Sequence, residues 1–242
     1  MSDTRRRCAY AALSVTLVAA IAVACSDMSS PERADVYEWR LITTSAVGSP
    51  GLDTLAFHWP RASLPVRIWV EDTLGLPDHL RAGIARWKRV FLYREFDAEV
   101  VSDSSAADVI VRGAAAPTGV IGPGTVPGPT AARHRIRLHS MLAPECQGAT
   151  DLDISPDNTE LVLPIRTYLE PRFATTDPGL PACLALTATH ELGHAMGLFQ
   201  HSPHPDDLMY ADPGIEGPSD RDRETAERAY HLPPNLSPVT RR

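Results

Sequence analysis

Apolar and polar residues alternate most regularly at Val66, Ile68 and Val70, with Arg67, Trp69 and Glu71 between them. A period of two is that of a strand with one buried face. Pro77 then opens a helix, a position that suits its fixed φ and missing N–H. Leu80, Ile84, Trp87 and Phe91 follow at helical spacing and make one apolar stripe, which reads as core. Residues 99–101 and 108–112 are two further strand-like runs, and 36–43 is a candidate for another. Residues 113–132 are rich in Gly and Pro and are predicted to be irregular. Gly122 and Gly124 flank Pro123 with no helix after them, which excludes a phosphate cradle. Residues 135–138 read as an edge strand, and 161–168 as an alternative one. Otherwise 145–181 reads as one long connection, a functional loop or an irregular insertion. An apolar helix is predicted from near Pro181. Ser219 is placed to cap a last helix, with Asp222 three residues on and Ala226, Ala229 and Tyr230 turned inward. Pro233 and Pro234 stop it.

The first residues follow another pattern. Arg5, Arg6 and Arg7 precede an uncharged apolar run over 9–24, which is short for a membrane span and reads as a secretion signal. Residues 1–24 are expected to be removed and 25–60 to form a tether and lead-in, rich at its start in Ser, Pro and charge. The domain proper is expected over 61–235, with 236–242 as a tail. Ala22 and Ala24 fit ordinary signal-peptidase cleavage. The same run resembles a bacterial lipobox in which Cys25 becomes the lipidated first residue. The four cysteines bear on this choice. Cys8 leaves with the signal and lipidation would use Cys25. Cys146 and Cys183 would then remain as an even pair, open to a disulfide in an oxidising compartment or else two buried thiols. The expected location is across the cytoplasmic membrane, at the envelope, with the membrane touched only through that lipid. What remains suits a single domain of ordinary size. The formal charge is −7, and the signal removes three Arg against Asp3, so the mature chain is more acidic still. An acidic exterior argues against a nucleic-acid partner. The basic run 133–139 is read as a solvated strand face, and the chain is expected to be a monomer.

The chemistry is concentrated in twelve residues, from His190 to His201, reading HELGHAMGLFQH. Side chains four apart on a helix project from one face, so His190 and His194 converge on one point. Neutral imidazole is a good zinc donor, and catalytic zinc sites usually take three protein ligands. Glu191 is rotated by roughly 100° from His190. It is badly placed to ligate but can reach water held at the metal, which suits a general base that later returns the proton to a leaving amine. Gly197 fits a left-handed helix end, after which the chain can swing back with a further ligand. His201 is the candidate; His204, Asp206 and Glu216 compete for the place.

This segment resembles the metzincin signature H-E-x-x-H-x-x-G-x-x-H. The third histidine of that pattern would fall at Gln200, and His201 is one residue late, which is read as an insertion in the turn after Gly197. A second match is Asp207-Leu208-Met209-Tyr210, which looks like the Met-turn of that family. Met209 would pack beneath the imidazoles as a soft apolar floor. Tyr210 directly follows Met209, one residue early for the ligating tyrosine of astacin-like members, and is not assigned as a ligand. The resemblance is to bacterial matrixin-like members; it is strong over 181–231, weaker over 60–112 and absent over 113–180. It implies an α/β fold with a twisted mixed sheet, a backing helix, an active-site helix and an irregular C-terminal part ending in a helix. It implies a zinc metalloendopeptidase acting on protein or peptide substrates laid along a sheet edge. No cysteine switch of the Pro-Arg-Cys-Gly type appears in the lead-in.

Two alternatives stand beside this reading. One is a catalytically silent surface lipoprotein that keeps the fold as a binding module. The other is a gluzincin-like peptidase with an acidic third ligand. Structural calcium is also weighed, because Asp151, Asp153, Ser155 and Asp157 are closely spaced. Pro156 and Val162 stand where an EF-hand loop needs Gly and Glu, so that loop type fails and a solvated acidic loop is expected.

Overall fold

The backbone is built on one mixed sheet with both long helices on the same face. The computed structural model describes residues 35–45, 51–118, 134–140 and 146–240. The run read as a secretion signal, Cys25, Gly122, Gly124 and Arg133 lie outside the described residues. Strands β1 (Leu41–Thr44) and β2 (Leu52–Leu55) pair antiparallel as a separate small sheet. The strand expected over 36–43 is thus shorter and shifted. The alternating run gives β3 (Val66–Val70) and is followed by helix α1 (Leu76–Lys88), β4 (Ala98–Val101) and β5 (Val109–Arg112). Leu80, Ile84 and Trp87 are buried along α1, while Phe91 is buried just beyond its end.

The second half departs most from expectation. Residues 134–171 hold three long strands, β6 (His134–Ser140), β7 (Cys146–Ile154) and β8 (Glu160–Pro171). The segment read as a long connection is therefore mostly a hairpin of β7 and β8, joined antiparallel. Its charged residues hid it. Arg137 stands opposite Asp151, and Arg135 opposite Asp153, across the β6–β7 ladder. Arg137 Nε lies 2.6 Å from Asp151, with both side chains buried. Arg135 and Arg166 both bind Asp153. Burial alone would raise the Asp153 pKa, but Arg135 and then Arg166 outweigh it and hold it below the usual carboxylate range. The expected solvated strand face and the expected acidic loop are corrected together, since each neutralises the other. Asp157 instead accepts from the hydroxyl of Ser155 at 2.5 Å. No acidic group among the described residues gathers as a cation site, so the calcium reading has no support there.

The sheet order is β4-β3-β5-β8-β7-β6, with β9 (Ser237–Thr240) pairing with β8. β4, β3, β5, β8 and β9 are mutually parallel where they pair; β7 and β6 run antiparallel. The residues expected to form a tail thus close part of the sheet. β8 has neighbours on both sides, which removes 161–168 as a free edge. β6 pairs only with β7 among the described residues and is an edge strand as expected.

Helix α2 (Leu180–Met196) is buried on almost every side. Such an all-round apolar helix belongs in the middle of a core. Two of its polar side chains are satisfied within the helix: Thr187 donates to the Cys183 carbonyl at 2.8 Å, and Thr189 to that of Ala185 at 2.6 Å. α1 packs against it, and Trp87 Nε1 donates to the Thr189 carbonyl at 2.8 Å. The described part of the lead-in is core as well: Tyr37, Trp39, Leu41, Leu55, Phe57 and Trp59 are all buried in the main cluster. Cys146 at the start of β7 and Cys183 in the first turn of α2 form a disulfide, with Cα atoms 5.7 Å apart. It closes a loop across 37 residues, for which loop-closure entropy gives about 4 kcal/mol. Helix α3 (Asp220–His231) begins with the expected capping box between Ser219 and Asp222.

Candidate metal centre

His190 and His194 occupy successive turns at the end of α2, and both are fully buried. Gly197 ends the helix with φ 116°, in the left-handed region. Gly197 N donates to the His194 carbonyl and Leu198 N to that of Gly193, each at 3.1 Å, the double bond of a Schellman ending. The chain then passes beneath the helix and is held from the lead-in. The Trp39 carbonyl accepts from Phe199 N at 2.7 Å and from Gln200 N at 3.2 Å. With Gln200 pinned by its backbone, the residue delivered to the two imidazoles is His201.

The three rings meet. His190 Nε2 and His194 Nε2 are 3.2 Å apart, as are His194 Nε2 and His201 Nε2. All three donor atoms lie within 4.8 Å of one another. His190 Nδ1 lies 2.6 Å from the Leu208 carbonyl, and His194 Nδ1 lies 2.6 Å from that of Leu198. A carbonyl only accepts, so in both rings Nδ1 carries the hydrogen. In the neutral rings both Nε2 atoms then offer bare lone pairs to the same point, with no hydrogen between them. Metal-binding histidines are typically oriented in this way by their second nitrogen. Tetrahedral ligands at a Zn–N length of about 2.05 Å would be separated by about 3.3 Å, close to the spacing found. The donor set fits a divalent metal ion; imidazoles alone suit zinc, copper, iron or nickel.

Electrostatics agree with this chemistry. Burial, and then the nearby His201, lowers the His190 pKa to about 3. Burial lowers His201 to about 4, and the same cause places His194 well below its ordinary value. The rings are therefore neutral donors across physiological pH, the form that ligation requires. A stability consequence follows for chelator-treated protein. Unfolded imidazoles take up protons near pH 6.5, whereas these folded ones resist until about pH 3–4. Between those values the unfolded chain binds more protons, so stability is lost as pH falls. Thermal midpoints of the metal-free protein should drop steadily from pH 7 to pH 4; a flat profile would contradict neutral burial of the three rings.

The competitors for third ligand are elsewhere. His204 and Asp206 are exposed, and Glu216 is exposed and pairs with Arg86 at 2.9 Å. Glu191 is fully buried but is not in the close group. Its carboxylate turns towards β7, where the Thr150 hydroxyl donates to Oε2 at 2.7 Å.

Met209 is fully buried beneath the helix. A Cβ added at Gly193 would stand 2.4 Å from its sulfur and 3.0 Å from the Trp87 ring. The second variable position of HELGH is glycine where the Met209 side chain lies directly against the backbone. The loop is held from α3. Asp222 accepts from Leu208 N at 2.7 Å, Met209 N at 3.3 Å and the Tyr37 hydroxyl at 2.9 Å. Asp207 accepts from Ser202, from Ser219 and from Arg221. Sequence reading assigned Asp222 only as a cap, quoted Asp207 and Gly193 only as positions of the motifs, and missed Thr150 and the Trp39 carbonyl. The cap spacing signalled Asp222; nothing local signals a partner on another element, as Thr150 is for Glu191 and Trp39 for Phe199.

No family model matches the chain, and no curated protein is detectably similar to it.

Proposed function

We propose that the protein is a zinc-dependent metalloendopeptidase of the matrixin-like metzincin kind, acting on protein or peptide substrates outside the cytoplasmic membrane. The observation that carries this reading is the convergence of His190, His194 and His201 through their Nε2 atoms, with Glu191 on the same helix. Three protein donors is the number that catalytic zinc sites use. Zinc, when bound, supplies Lewis acidity and lowers the pKa of water that it holds. His190 and His194 keep their donor atoms aimed through their Nδ1–H bonds to the Leu208 and Leu198 carbonyls. Glu191 takes the proton of the attacking water and passes it to the leaving amine. Met209 is the apolar floor under the imidazoles. An extended substrate would add antiparallel along β6, an edge strand among the described residues. The Cys146–Cys183 disulfide supports an oxidising compartment. It agrees with a secretion signal over 1–24 and a lipid anchor at Cys25 that tethers an otherwise soluble monomer.

The test is metal content with proteolysis. The purified chain should carry one zinc per molecule and cleave casein, gelatin or a peptide library. A chelator should abolish cleavage and added zinc restore it. His201→Ala should weaken zinc binding by at least about a hundredfold. Full zinc loading with no cleavage of any peptide would turn the reading to a silent binding module. Undiminished affinity in His201→Ala would turn it to a site with another third ligand.

A further inference from the structure

We propose that Thr150, backed by Thr167, is a positioning residue that fixes the Glu191 carboxylate. The functional importance of the contact rests on the peptidase reading above; the contact itself does not. Thr150 and Glu191 are both fully buried, one on β7 and the other on α2, and the hydroxyl donates to Oε2 at 2.7 Å. Thr167 stands directly opposite Thr150 in the β7–β8 register, with the two Oγ1 atoms 3.3 Å apart. Thr150 uses its hydrogen on the carboxylate, so Thr167 is the donor between the two hydroxyls. The chain Thr167 to Thr150 to Glu191 is directional, and each bond polarises the next.

A glutamate end needs such a hold. Its last torsion is broad and has no staggered well to lock it. A hydrogen bond to a charged acceptor is roughly twice as strong as a neutral one. Thr150 itself is well fixed. From Cys146 to Asp151, β7 pairs with β8 in unbroken register, and the irregularity comes only after Asp151. On the opposite face of the strand, the next residue is locked by the buried Arg137–Asp151 pair. The anchor therefore sits on rigid strands rather than on a loop, as a precise site requires.

The experiment compares Thr150→Val, Thr150→Ser and Thr167→Val in the full chain. Valine has nearly the shape of threonine and deletes only the hydroxyl. With a cleavable peptide, Thr150→Val should lower kcat by about 10- to 100-fold, with KM and zinc content unchanged. Thr150→Ser should stay within about threefold of wild type, and Thr167→Val should fall between them. A second readout needs no activity. In a double-mutant cycle of unfolding, Thr150→Val and Glu191→Leu should be coupled by at least about tenfold in the equilibrium constant. Coupling below about twofold overturns the proposal, as does a serine variant as impaired as valine. Zinc-loaded wild type that cleaves nothing defeats the peptidase reading alone, and the cycle then decides by itself whether Thr150 holds the carboxylate.

Discussion

Glu191→Ala is expected to leave the metal in place and remove nearly all peptide cleavage. The three donor atoms belong to other residues, so metal per protein should match wild type. The loss should fall on kcat, because a positioned proton carrier contributes about 10²- to 10⁴-fold to such a step. The helix should survive, since alanine is the strongest helix former. The deleted carboxylate leaves the Thr150 hydroxyl without its acceptor, but Thr167 Oγ1 lies 3.3 Å away and can take the hydrogen. Steady-state kinetics on one peptide, beside elemental analysis of the same preparation, check both halves. Cleavage at the wild-type rate would remove Glu191 from the chemistry. Loss of zinc alongside activity would make it part of the metal's support instead.

Gly197→Ala is expected to destabilise the domain strongly. A Cβ there would stand 2.1 Å from the Phe57 carbonyl oxygen, and a backbone atom cannot turn aside. The residue also sits at φ 116°, where a side chain is strained whatever the space. Left-handed backbone costs roughly 1–2 kcal/mol and overpacking roughly 1–3 kcal/mol, so a total of about 2–5 kcal/mol is expected. That is a large part of the net stability of an ordinary domain, about 5–15 kcal/mol. The site would suffer with the fold. Leu198 accepts the Nδ1–H of His194, and the Trp39 clamp on Phe199 and Gln200 delivers His201. Gly214→Ala is the control, because nothing lies within 4 Å of the added carbon. Denaturant midpoints and zinc affinity should fall together in the first variant and hold in the second. A Gly197→Ala protein as stable as wild type would mean that the turn after the helix is not packed on Phe57.

Much of this molecule is written locally. The alternation at 66–70, the stripe of α1, the apolar run of α2 and the Ser219 capping box each depend on residues a few positions apart. Each appears near its expected place. The donor set was legible for the same reason: His190 and His194 are placed by helical period, and Gly197 announces the end of that helix. Charge made β7 unreadable, whereas 161–168 was read as a strand and lies within β8. Asp151 and Asp153 look like a wet loop until Arg137, Arg135 and Arg166 are brought beside them. The lead-in was opaque in another way. Short aromatic-rich pieces carry no period, and their burial depends on the helix and turn that they cover.

The amino-acid order alone thus determined two imidazoles on one helical face, a carboxylate beside them and a glycine to stop the helix, because helical geometry fixes those relations within a few residues. The fold decided which later histidine reaches the pair, where Glu191 finds its hydroxyl partner and what steadies Met209. Those outcomes depend on Trp39, Thr150 and Asp222, which the chain brings in from other elements, and no local rule relates them to the helix that they serve.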